Sequence, residues 1–363
     1  MKICFYLGSL SEGGIGRVVS IIAKELAKSD DINASCLIYE RKKDELYSLE
    51  GFERTDYLLD KPISLKKAIL RNRIIKKTRD YLKCNKIEIL IVCGDLFFPV
   101  AVLAAIGLKV KVLCWDHTAP DINSDQSFQY ICRILGTKYS DYNLVLTKYA
   151  LTEYNKRLNP QKNFQIYNPV DPDASRHFMD YNRESKKIIS IGRLCYQKNF
   201  SRLLDIAKVV IERNPEWEWD VFGDGNEKTE LVNKCRELKL DDNVHFLGQA
   251  SDLYQRYPNY AFIVMTSRYE GFPMTLLEGS ANALPLVAFD VKTGPNEIII
   301  NGYNGFLCDE KDDSQMIDRI QRLIDSDELR TNMSANSLSR SKDFDINKII
   351  KQWIKMLYKI IED

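Results

Sequence analysis

SRYEGFPMTLLE, residues 267–278, is the most informative stretch of this amino-acid sequence. It follows an apolar run typical of a buried strand, and its glycine and proline indicate a tight turn that leads into a helix. We expect Pro273 to take the first helical position and the helix to continue to Ala283. Glu270 lies before this helix and Glu278 inside it, so the two carboxylates can reach different hydroxyl-bearing parts of one ligand.

The same order of strand, turn and helix recurs in both halves of the chain. Apolar runs predict strands at residues 3–7, 34–39, 87–92, 111–115 and 142–146 in the first half and at 187–191, 218–222, 244–247, 262–266 and 285–289 in the second. Strands that alternate with helices form parallel sheets covered on both faces. The sequence therefore predicts an α/β fold of two Rossmann-like, doubly wound domains that face a central cleft.

The length of 363 residues also favours two domains, since a single core rarely grows beyond about 250 to 300 residues. Two prolines in the segment Gln165–Pro172 interrupt regular structure and indicate a hinge. We predict an N-terminal domain over residues 1–167 and a C-terminal domain over 168–344. The apolar periodicity of residues 345–363 predicts a terminal helix that packs back on the N-terminal domain. Its apolar stripe consists of Ile349, Ile350, Trp353, Ile354, Leu357 and Ile360.

Composition excludes several classes of protein. The formal net charge of +1 lacks the basic excess that nucleic-acid binding by bulk electrostatics needs. The nine cysteines include no C-x-x-C pair and indicate buried thiols in a reducing compartment, and the three histidines are too far apart for a helical zinc site. We find neither a signal peptide nor an uncharged apolar stretch of about 18 residues, so we expect a cytoplasmic protein, soluble or attached to a membrane surface.

A glycine-rich segment, residues 11–17, follows the first predicted strand and precedes an apolar helix expected over Val18–Leu26. Its glycines allow backbone amides to approach an anion at a helix N-terminus. The segment departs from the G-x-G-x-x-G dinucleotide fingerprint because Val19 stands at the last glycine position, although Glu40 lies where a ribose-binding acid would follow the second strand. A phosphate-binding turn, a dinucleotide-binding oxidoreductase and a plain strand-to-helix turn are all compatible with it.

Arg193 and Lys198 lie in the segment GRLCYQKN, residues 192–199, directly after the first strand of the second half. Two cations at the carboxyl end of a strand can reach a diphosphate from two directions, arginine as a fork and lysine as a point charge. The alternative is a pair of solvated basic residues in a loop.

Residues 61–86 contain ten Lys or Arg and the single acid Asp80. Such a cluster can attract an anionic membrane surface, at about 1 kcal/mol per basic residue near the headgroups. Its basic and apolar residues do not separate cleanly on a helical wheel, so a solvated helix is the alternative.

Glu270 and Glu278 resemble the E-x7-E motif of the family 4 retaining glycosyltransferases, which have the GT-B fold. The likeness extends along nearly the whole chain. Residues 13–16 are similar to the family's N-terminal glycine loop, 168–171 to its hinge, and 192–199 to its diphosphate-binding pair. Further similar segments are Gly223–Gly225, Gly248, Gly294–Glu297 and Asn301–Leu307. Each piece is common, but their joint order and spacing are specific.

The resemblance implies a role for each matching residue. Glu270 would hold hydroxyls of the transferred sugar and Glu278 those of the ribose, while Arg193 and Lys198 would bind the diphosphate as its charge grows. His117 matches the family histidine near the reacting sugar, although a lone histidine also suits a structural role. The implied catalytic set is His117, Arg193, Lys198 and Glu270. The other implied donor-binding residues are Gly14, Gly16, Gly271, Phe272, Pro273, Met274, Thr275 and Glu278.

The resemblance also implies a reaction. A hexose or N-acetylhexosamine would pass with retention of configuration from a UDP-sugar to a saccharide acceptor, expected to be lipid-linked, in surface polysaccharide or glycolipid synthesis. No metal or other cofactor is expected, since cations and helix amides can stabilise the leaving diphosphate. A sugar epimerase or phosphorylase of the same fold, or a sugar-binding protein without activity, are alternatives. We expect a cytoplasmic enzyme, with peripheral contact between residues 61–86 and the inner face of the membrane as a further expectation.

Overall fold

A computed structural model describes residues 1–9, 14–41, 50–59, 72–120, 128–176, 180–250 and 252–363. The chain divides into two units: unit 1 combines Met1–Asn168 with Asn347–Asp363, and unit 2 is Pro169–Ile346. The first division falls one residue after the predicted end of the N-terminal domain. The second falls two residues after the predicted start of the terminal segment.

Unit 1 is built on a parallel sheet. Its strands are β1 Lys2–Leu7, β2 Asn33–Glu40, β3 Arg54–Leu59, β4 Ile89–Cys93, β5 Lys111–Asp116, β6 Tyr142–Val145 and β7 Asn163–Gln165. They pair in the order β3-β2-β1-β4-β5-β6-β7. The five predicted strands are confirmed to within two residues at each end. The sequence does not predict β3 or β7, because β3 is a partly exposed edge strand with charged residues and β7 has only three residues.

The helices that follow these strands in the described part of unit 1 are α1 Gly14–Leu26, α2 Arg73–Asn85, α3 Phe98–Ala105, α4 Phe128–Tyr139 and α5 Lys148–Arg157. The predicted start of α1 at Val18 is wrong by one turn. Apolar periodicity marks the buried face of a helix, and the first turn of α1 adds two glycines before that face is established.

Unit 2 repeats the architecture with a second parallel sheet. Its strands are β8 Lys187–Ile191, β9 Glu218–Phe222, β10 Val244–Gly248, β11 Phe262–Met265, β12 Leu286–Phe289 and β13 Gly305–Cys308, in the order β10-β9-β8-β11-β12-β13. The five predicted strands are confirmed to within one residue. β13 is not predicted, since it is a four-residue strand directly after a turn.

The described helices of unit 2 are α6 Pro172–Arg176, α7 Phe200–Arg213, α8 Lys228–Glu237, α9 Leu253–Arg256, α10 Met274–Ala281, α11 Pro295–Ile298, α12 Asp313–Asp325 and α13 Asp327–Ser341. Side-chain caps fix two of the starts. The Asp312 carboxylate accepts from the Gln315 amide at the start of α12, and the Ser326 hydroxyl accepts from the Leu329 amide at the start of α13.

The last helix, α14 Ile346–Glu362, returns the chain to unit 1. Trp353 is buried edge-on against Trp115 of β5, with ring centroids 4.7 Å apart, and lies 6.2 Å from Phe5 of β1. The predicted stripe is buried with two differences: Met356 joins it, and Ile354 is only partly buried. In the described ranges, no helix combines the length and apolarity needed to cross a membrane.

Candidate active site

The loops after β8 and β11 occupy the switch point of the unit 2 sheet. β8 and β11 are paired, yet β9 follows on one side of them and β12 on the other. In doubly wound sheets the ligand binds outside the carboxyl ends of the strands at such a point. Arg193 and Lys198 lie in the loop after β8, and Glu270 lies in the loop after β11, so the topology brings the predicted cations and acid to the same edge.

Lys198 and Glu270 form an ion pair at this edge. The Lys198 Nζ lies 2.6 Å from Glu270 Oε1, with the lysine side chain 17% exposed and the glutamate 6%. Charges are costly to bury unless they are paired and hydrogen-bonded, and this geometry pairs both. The sequence places both residues in one site, and the structure adds that they contact each other directly.

Hydrogen bonds join the two loops around this pair. The Arg268 amide donates to the Gln197 carbonyl at 2.8 Å, and the Gln197 side-chain amide donates to the Tyr269 carbonyl at 3.1 Å. The Arg268 guanidinium also donates to Asn199 Oδ1 at 2.8 Å. Residues on either side of Lys198 are thus tied to residues just before Glu270, which fixes the position of the ion pair.

Two glycines permit the close approach of the neighbouring strand ends. Gly223 has φ +137°, and a Cβ there would lie 1.9 Å from the Gly192 carbonyl oxygen. A Cβ at Gly192 would lie 3.2 Å from the Cγ and Cδ atoms of Lys198. The lysine stem therefore lies over Gly192, whose lack of a side chain leaves room for it.

Arg193 is exposed beside this pair. Its guanidinium makes no hydrogen bond or ion pair with a residue of the described ranges, whereas Lys198 is held by Glu270. Of the two cations predicted to bind the diphosphate, Lys198 is therefore held in place by the protein, whereas Arg193 is exposed to solvent.

The turn after Glu270 leads into α10, with differences from the prediction. Pro273 caps the helix with φ −74° and ψ 110°, so its expected place at the first helical position is wrong, and the helix ends at Ala281 and not at Ala283. Ala283 has φ +58°, a conformation that cannot continue a right-handed helix. Met274 and Thr275 thus form the first turn, whose N–H groups have no intrahelical acceptor.

A second loop supports this turn. The Thr293 hydroxyl donates to the Glu270 carbonyl. Gly294 has φ +95°, and a Cβ there would lie 2.7 Å from Pro273 Cδ and 3.1 Å from the Gly271 carbonyl oxygen. The loop after β12 is therefore packed directly against the backbone that carries Glu270 and the start of α10.

Glu278 is fully buried in the second turn of α10, and its carboxylate accepts a hydrogen bond from the Tyr257 hydroxyl at 3.0 Å. Phe272 is also buried, with its ring 5.6 Å from that of Phe344. Two hydroxyl oxygens in this region, Ser267 Oγ and Thr275 Oγ1, are buried without a hydrogen-bond partner among the described residues. Buried hydroxyls of this kind are typical of a site that receives a polar ligand.

His117 lies in unit 1, directly after β5. Its ring packs on Trp115 with centroids 4.3 Å apart, and its Nε2 is buried without a hydrogen-bond partner in the described ranges. Burial lowers the pKa of His117 to about 4, so the imidazole is neutral at pH 7. A neutral imidazole with a buried nitrogen can donate or accept one hydrogen bond.

A buried polar network holds the turn that carries His117. Asp116 Oδ2 lies 2.7 Å from Arg133 Nε of α4 and also accepts from the Tyr154 hydroxyl, while Oδ1 accepts from the Thr118 amide at 2.9 Å. Burial raises the pKa of the Tyr154 phenol, which keeps it a proton donor. The sequence does not indicate this network, because its members are scattered along 39 residues without a motif.

Asp95 lies two residues after Cys93, the last residue of β4. Cys93 pairs with Trp115 of β5, so Asp95 and His117 follow the carboxyl ends of two neighbouring strands. Its carboxylate accepts from the Gln129 side-chain amide at 2.9 and 3.0 Å. Burial raises the pKa of Asp95, an effect that the Gln129 hydrogen bonds oppose. Sequence reasoning does not single out Asp95 or Tyr257, because neither residue lies in a recognisable motif.

Other predicted features are described in part. Gly14 and Gly16 form the first turn of α1, with Gly16 buried, while residues 10–13 lie outside the described ranges. Residues 61–71 of the basic segment also lie outside them. In α2, Lys77 donates to the Leu58 carbonyl and Arg79 to those of Ala104 and Ile106, so these two cations stabilise the fold. Within the described part of the chain, no group of three His, Cys, Asp or Glu could hold a metal ion.

Comparison with known families and sequences places the chain among enzymes that transfer sugars. Residues 173–340 match the model of the family described as glycosyl transferases group 1. The amylovoran biosynthesis glycosyltransferase AmsD of Erwinia amylovora is 29% identical over 364 residues, which cover 96% of this chain and 97% of AmsD. A Campylobacter jejuni α-1,4-N-acetyl-D-galactosaminyltransferase, named for an undecaprenol-linked diphosphate substrate, is 23% identical with 99% of both chains covered.

Solved structures give the same fold. Anabaena HepE in complex with UDP-glucose has a TM-score of 0.84 at 17% identity, with 99% of this chain and 100% of that chain covered. Sucrose-phosphate synthase from Thermosynechococcus elongatus has a TM-score of 0.85 at 16% identity, with 99% of both chains covered. At these identities the likeness establishes the GT-B fold. None of the comparisons supports an oxidoreductase, an epimerase or a phosphorylase.

Proposed function

We propose that this chain, a GT-B glycosyltransferase whose residues 173–340 belong to the glycosyl transferases group 1, moves a hexose or N-acetylhexosamine from a UDP-sugar to a lipid-linked saccharide with retention of configuration. The observation that carries the proposal is the Lys198–Glu270 ion pair at the switch point of the unit 2 sheet, next to the first turn of α10. A cation, a carboxylate and helix amides at one sheet edge suit a ligand that has both phosphates and hydroxyls.

The proposed roles follow from the charges that develop during the reaction. Breaking the bond between the anomeric carbon and the diphosphate oxygen leaves positive charge on the sugar and negative charge on the diphosphate. Arg193, Lys198 and the backbone amides of Phe272, Met274 and Thr275 would stabilise the departing diphosphate. The Lys198 ammonium has three N–H donors and directs one at Glu270, so the others can bind phosphate oxygens.

The carboxylates have separate proposed roles. Glu270 would accept hydrogen bonds from hydroxyls of the transferred sugar, and its contact with Lys198 couples the sugar subsite to the diphosphate subsite. Glu278 would bind the ribose, oriented by Tyr257. We do not propose Glu270 as a nucleophile, because retaining hydrolysis by two carboxylates needs a second acid about 5 Å away across the scissile bond.

Retention is proposed to arise from same-face displacement. A diphosphate oxygen takes the proton of the acceptor hydroxyl while that hydroxyl attacks the anomeric carbon. Neutral His117 is proposed to contact the donor sugar, and Gly14 and Gly16 are proposed to bind the donor. The scheme needs no metal or other cofactor, since Arg193, Lys198 and the helix amides supply the positive potential.

The acceptor and the location are proposed from the relatives. AmsD is named for amylovoran biosynthesis, and the Campylobacter enzyme for a substrate on an undecaprenol-linked diphosphate. Such acceptors are exposed at a membrane surface, so we propose a cytoplasmic enzyme that contacts the inner face of the membrane peripherally through the region of residues 61–86. The exposed cations of this region within the described residues are Arg73, Lys76, Lys77, Lys83 and Lys86, of which Lys77 donates to the Leu58 carbonyl.

The test is acceptor-dependent release of UDP. The purified full-length chain is incubated with UDP-glucose, UDP-galactose, UDP-N-acetylglucosamine or UDP-N-acetylgalactosamine, with and without undecaprenyl diphosphate-linked saccharides. We expect one donor to release UDP only when an acceptor is present, and NMR of the product to show the donor's anomeric configuration. Isomerisation of the sugar nucleotide without acceptor, or a product of inverted configuration, would refute the proposal.

A further inference from the structure

Two neighbouring helices of unit 1 expose an unusual number of apolar side chains. Seven large apolar residues of α3, its following turn and α4 have 38–63% of their surface exposed. One is Phe128, the first residue of α4, and the other six are Leu103, Ile106, Ile131, Ile134, Leu135 and Tyr139. We call these six residues the apolar face. Single exposed apolar residues are ordinary on soluble proteins, whereas a concentration of them indicates a surface that binds a partner.

The sequence of α4 explains this exposure. On an ideal helix Ile131, Ile134, Leu135 and Tyr139 project within an arc of ~140°. The residues on the other side, including Cys132, Arg133, Gly136 and Thr137, are buried. The helix therefore has one face that packs against its own unit and a second, apolar face that the fold of unit 1 does not cover.

The apolar face belongs to a strongly cationic layer. Helices α2, α3 and α4 pack in sequence along the sheet: Arg79 of α2 donates to the carbonyls of Ala104 and Ile106, and Gly136 of α4 packs against Phe98 of α3. Residues 72–86, 98–111 and 128–139 together contain ten Lys or Arg and one acid, Asp80, in a chain with 52 basic and 51 acidic residues. One of the ten, Arg133, is buried in its pair with Asp116, so nine contribute to the charge of the layer. The positive charge of this layer is therefore local.

We infer that the apolar face and the cations around it form a docking surface for an anionic lipid bilayer. Apolar side chains on a helix that lies in the interface gain by entering the acyl region, while anionic headgroups attract the flanking lysines. Lys138 lies within the apolar arc of α4 and can extend its ammonium to the headgroups, and Tyr139 is of a type enriched at membrane interfaces. A second copy of the chain would instead place like charges opposite each other across a symmetric interface.

Docking through α4 has a consequence for the acceptor. Gln129 in the first turn of this helix donates to Asp95 at the carboxyl edge of the unit 1 sheet, the edge where His117 also follows its strand. A membrane-bound α4 would hold that edge near the headgroups, where a lipid-linked acceptor presents its saccharide. This last step rests on the proposed function, whereas docking itself rests on the exposed apolar residues and the charge of the layer.

The test is vesicle cosedimentation of the full chain and of two double variants. The first variant, Ile131→Asp with Leu135→Asp, alters the apolar face. The control, Ile300→Asp with Leu247→Asp, changes an isoleucine and a leucine of unit 2. Both isoleucines are 46% exposed and both leucines are 45% exposed. We expect the wild type and the unit 2 variant to bind phosphatidylcholine vesicles that contain phosphatidylglycerol. The α4 variant should bind them at least tenfold more weakly, and added salt should weaken all binding.

Three outcomes would overturn the inference: undiminished binding of the α4 variant, equal binding of the wild type to pure phosphatidylcholine, or a wild-type dimer that the α4 variant converts to monomer in sedimentation velocity. UDP-induced thermal stabilisation is measured in parallel to show that the variant folds and keeps its donor site. If vesicle binding holds while acceptor-dependent UDP release fails, the proposed function is wrong and the docking surface stands.

Discussion

The two units each place a buried ion pair near the carboxyl ends of their strands, and the surroundings of the pairs differ. In unit 1 the Asp116–Arg133 pair has a separation of 2.7 Å, and its side chains are 2% and 3% exposed. In unit 2 the Lys198–Glu270 pair has a separation of 2.6 Å, and the lysine is 17% exposed. The distances are nearly equal, so the difference lies in access to solvent and in the remaining hydrogen bonds.

That difference separates a structural role from a ligand-binding role. Asp116 accepts from Arg133, Tyr154 and the Thr118 amide, so both of its oxygens are engaged by the protein. Lys198 has N–H donors beyond the one directed at Glu270 and a side chain that solvent reaches. We therefore expect loss of the unit 1 pair to lower the free energy of unfolding, and loss of the unit 2 pair to lower kcat.

The largest effect is expected from Arg133→Met, which leaves the Asp116 carboxylate buried without its charge partner. Such a loss typically costs about 3–5 kcal/mol of unfolding free energy. Thermal and urea unfolding of the full chain would measure it. The control is Lys24→Met, which breaks an exposed pair of the same 2.7 Å separation with Glu50 and should change stability little. Equal losses in the two variants would contradict the structural role of the unit 1 pair.

Lys198→Ala should have the next largest effect, a fall in kcat of about 100- to 1000-fold, because stabilisation of the leaving diphosphate is lost. The matched control is Lys187→Ala, whose lysine lies 2.6 Å from Glu218 in the same unit but is 44% exposed. Its kcat should stay within about twofold of the wild type. Steady-state UDP release decides the matter, and unchanged kcat in Lys198→Ala would remove the proposed diphosphate role.

Tyr257→Phe should weaken UDP binding about two- to tenfold, since a typical intramolecular hydrogen bond contributes roughly 0.5–1.5 kcal/mol. The phenylalanine keeps the ring, so the effect isolates the orientation of Glu278. Tyr260→Phe is the control, because it removes a similar bond, 2.7 Å long, from a tyrosine to the buried Asp220. Calorimetric titration with UDP should show near wild-type affinity for the control. Equal weakening of UDP binding in the two variants would show that the loss comes from packing and not from the proposed ribose subsite.

The last prediction concerns the pH dependence of stability and His117. The pKa falls from 6.5 in the unfolded chain to about 4 in the folded one, so the unfolded state binds more protons between these values. The stability associated with the neutral ring is thus present above pH 6.5 and is lost as the pH falls toward 4, on the order of 1–2 kcal/mol for a partly exposed ring. His117→Gln should flatten the dependence of the melting temperature on pH in this window. An unaltered slope would show that His117 does not titrate in this way.

Much of the fold is predictable from local patterns. Buried parallel strands such as β4 and β11 read as continuous apolar runs because both of their faces are covered. β3 and β7 escape the same reasoning, since an edge strand with charged residues and a three-residue strand have too little buried surface to leave a pattern. The sequence also does not predict the true ends of α10, because the ψ angle of Pro273 and the φ angle of Ala283 depend on what packs around them.

The candidate site shows the same division. Arg193, Lys198 and Glu270 stand out because each follows a predicted strand within a recognisable motif. Asp95 and Tyr257 lack such a setting, and only the strand order and helix packing reveal their partners Gln129 and Glu278.

The amino-acid sequence by itself determined two parallel α/β sheets and the set of charged residues that follow their strands, because periodicity and turn residues are local properties of the chain. Only the tertiary structure decided which charges pair and how deeply they lie. Lys198 meets Glu270 across 72 positions of sequence, since the pairing of β8 with β11 brings their loops together. The exposure of Ile131, Ile134, Leu135 and Tyr139 is likewise a tertiary result, because apolar periodicity marks their face of α4 as the one to be buried, whereas the structure buries the opposite face.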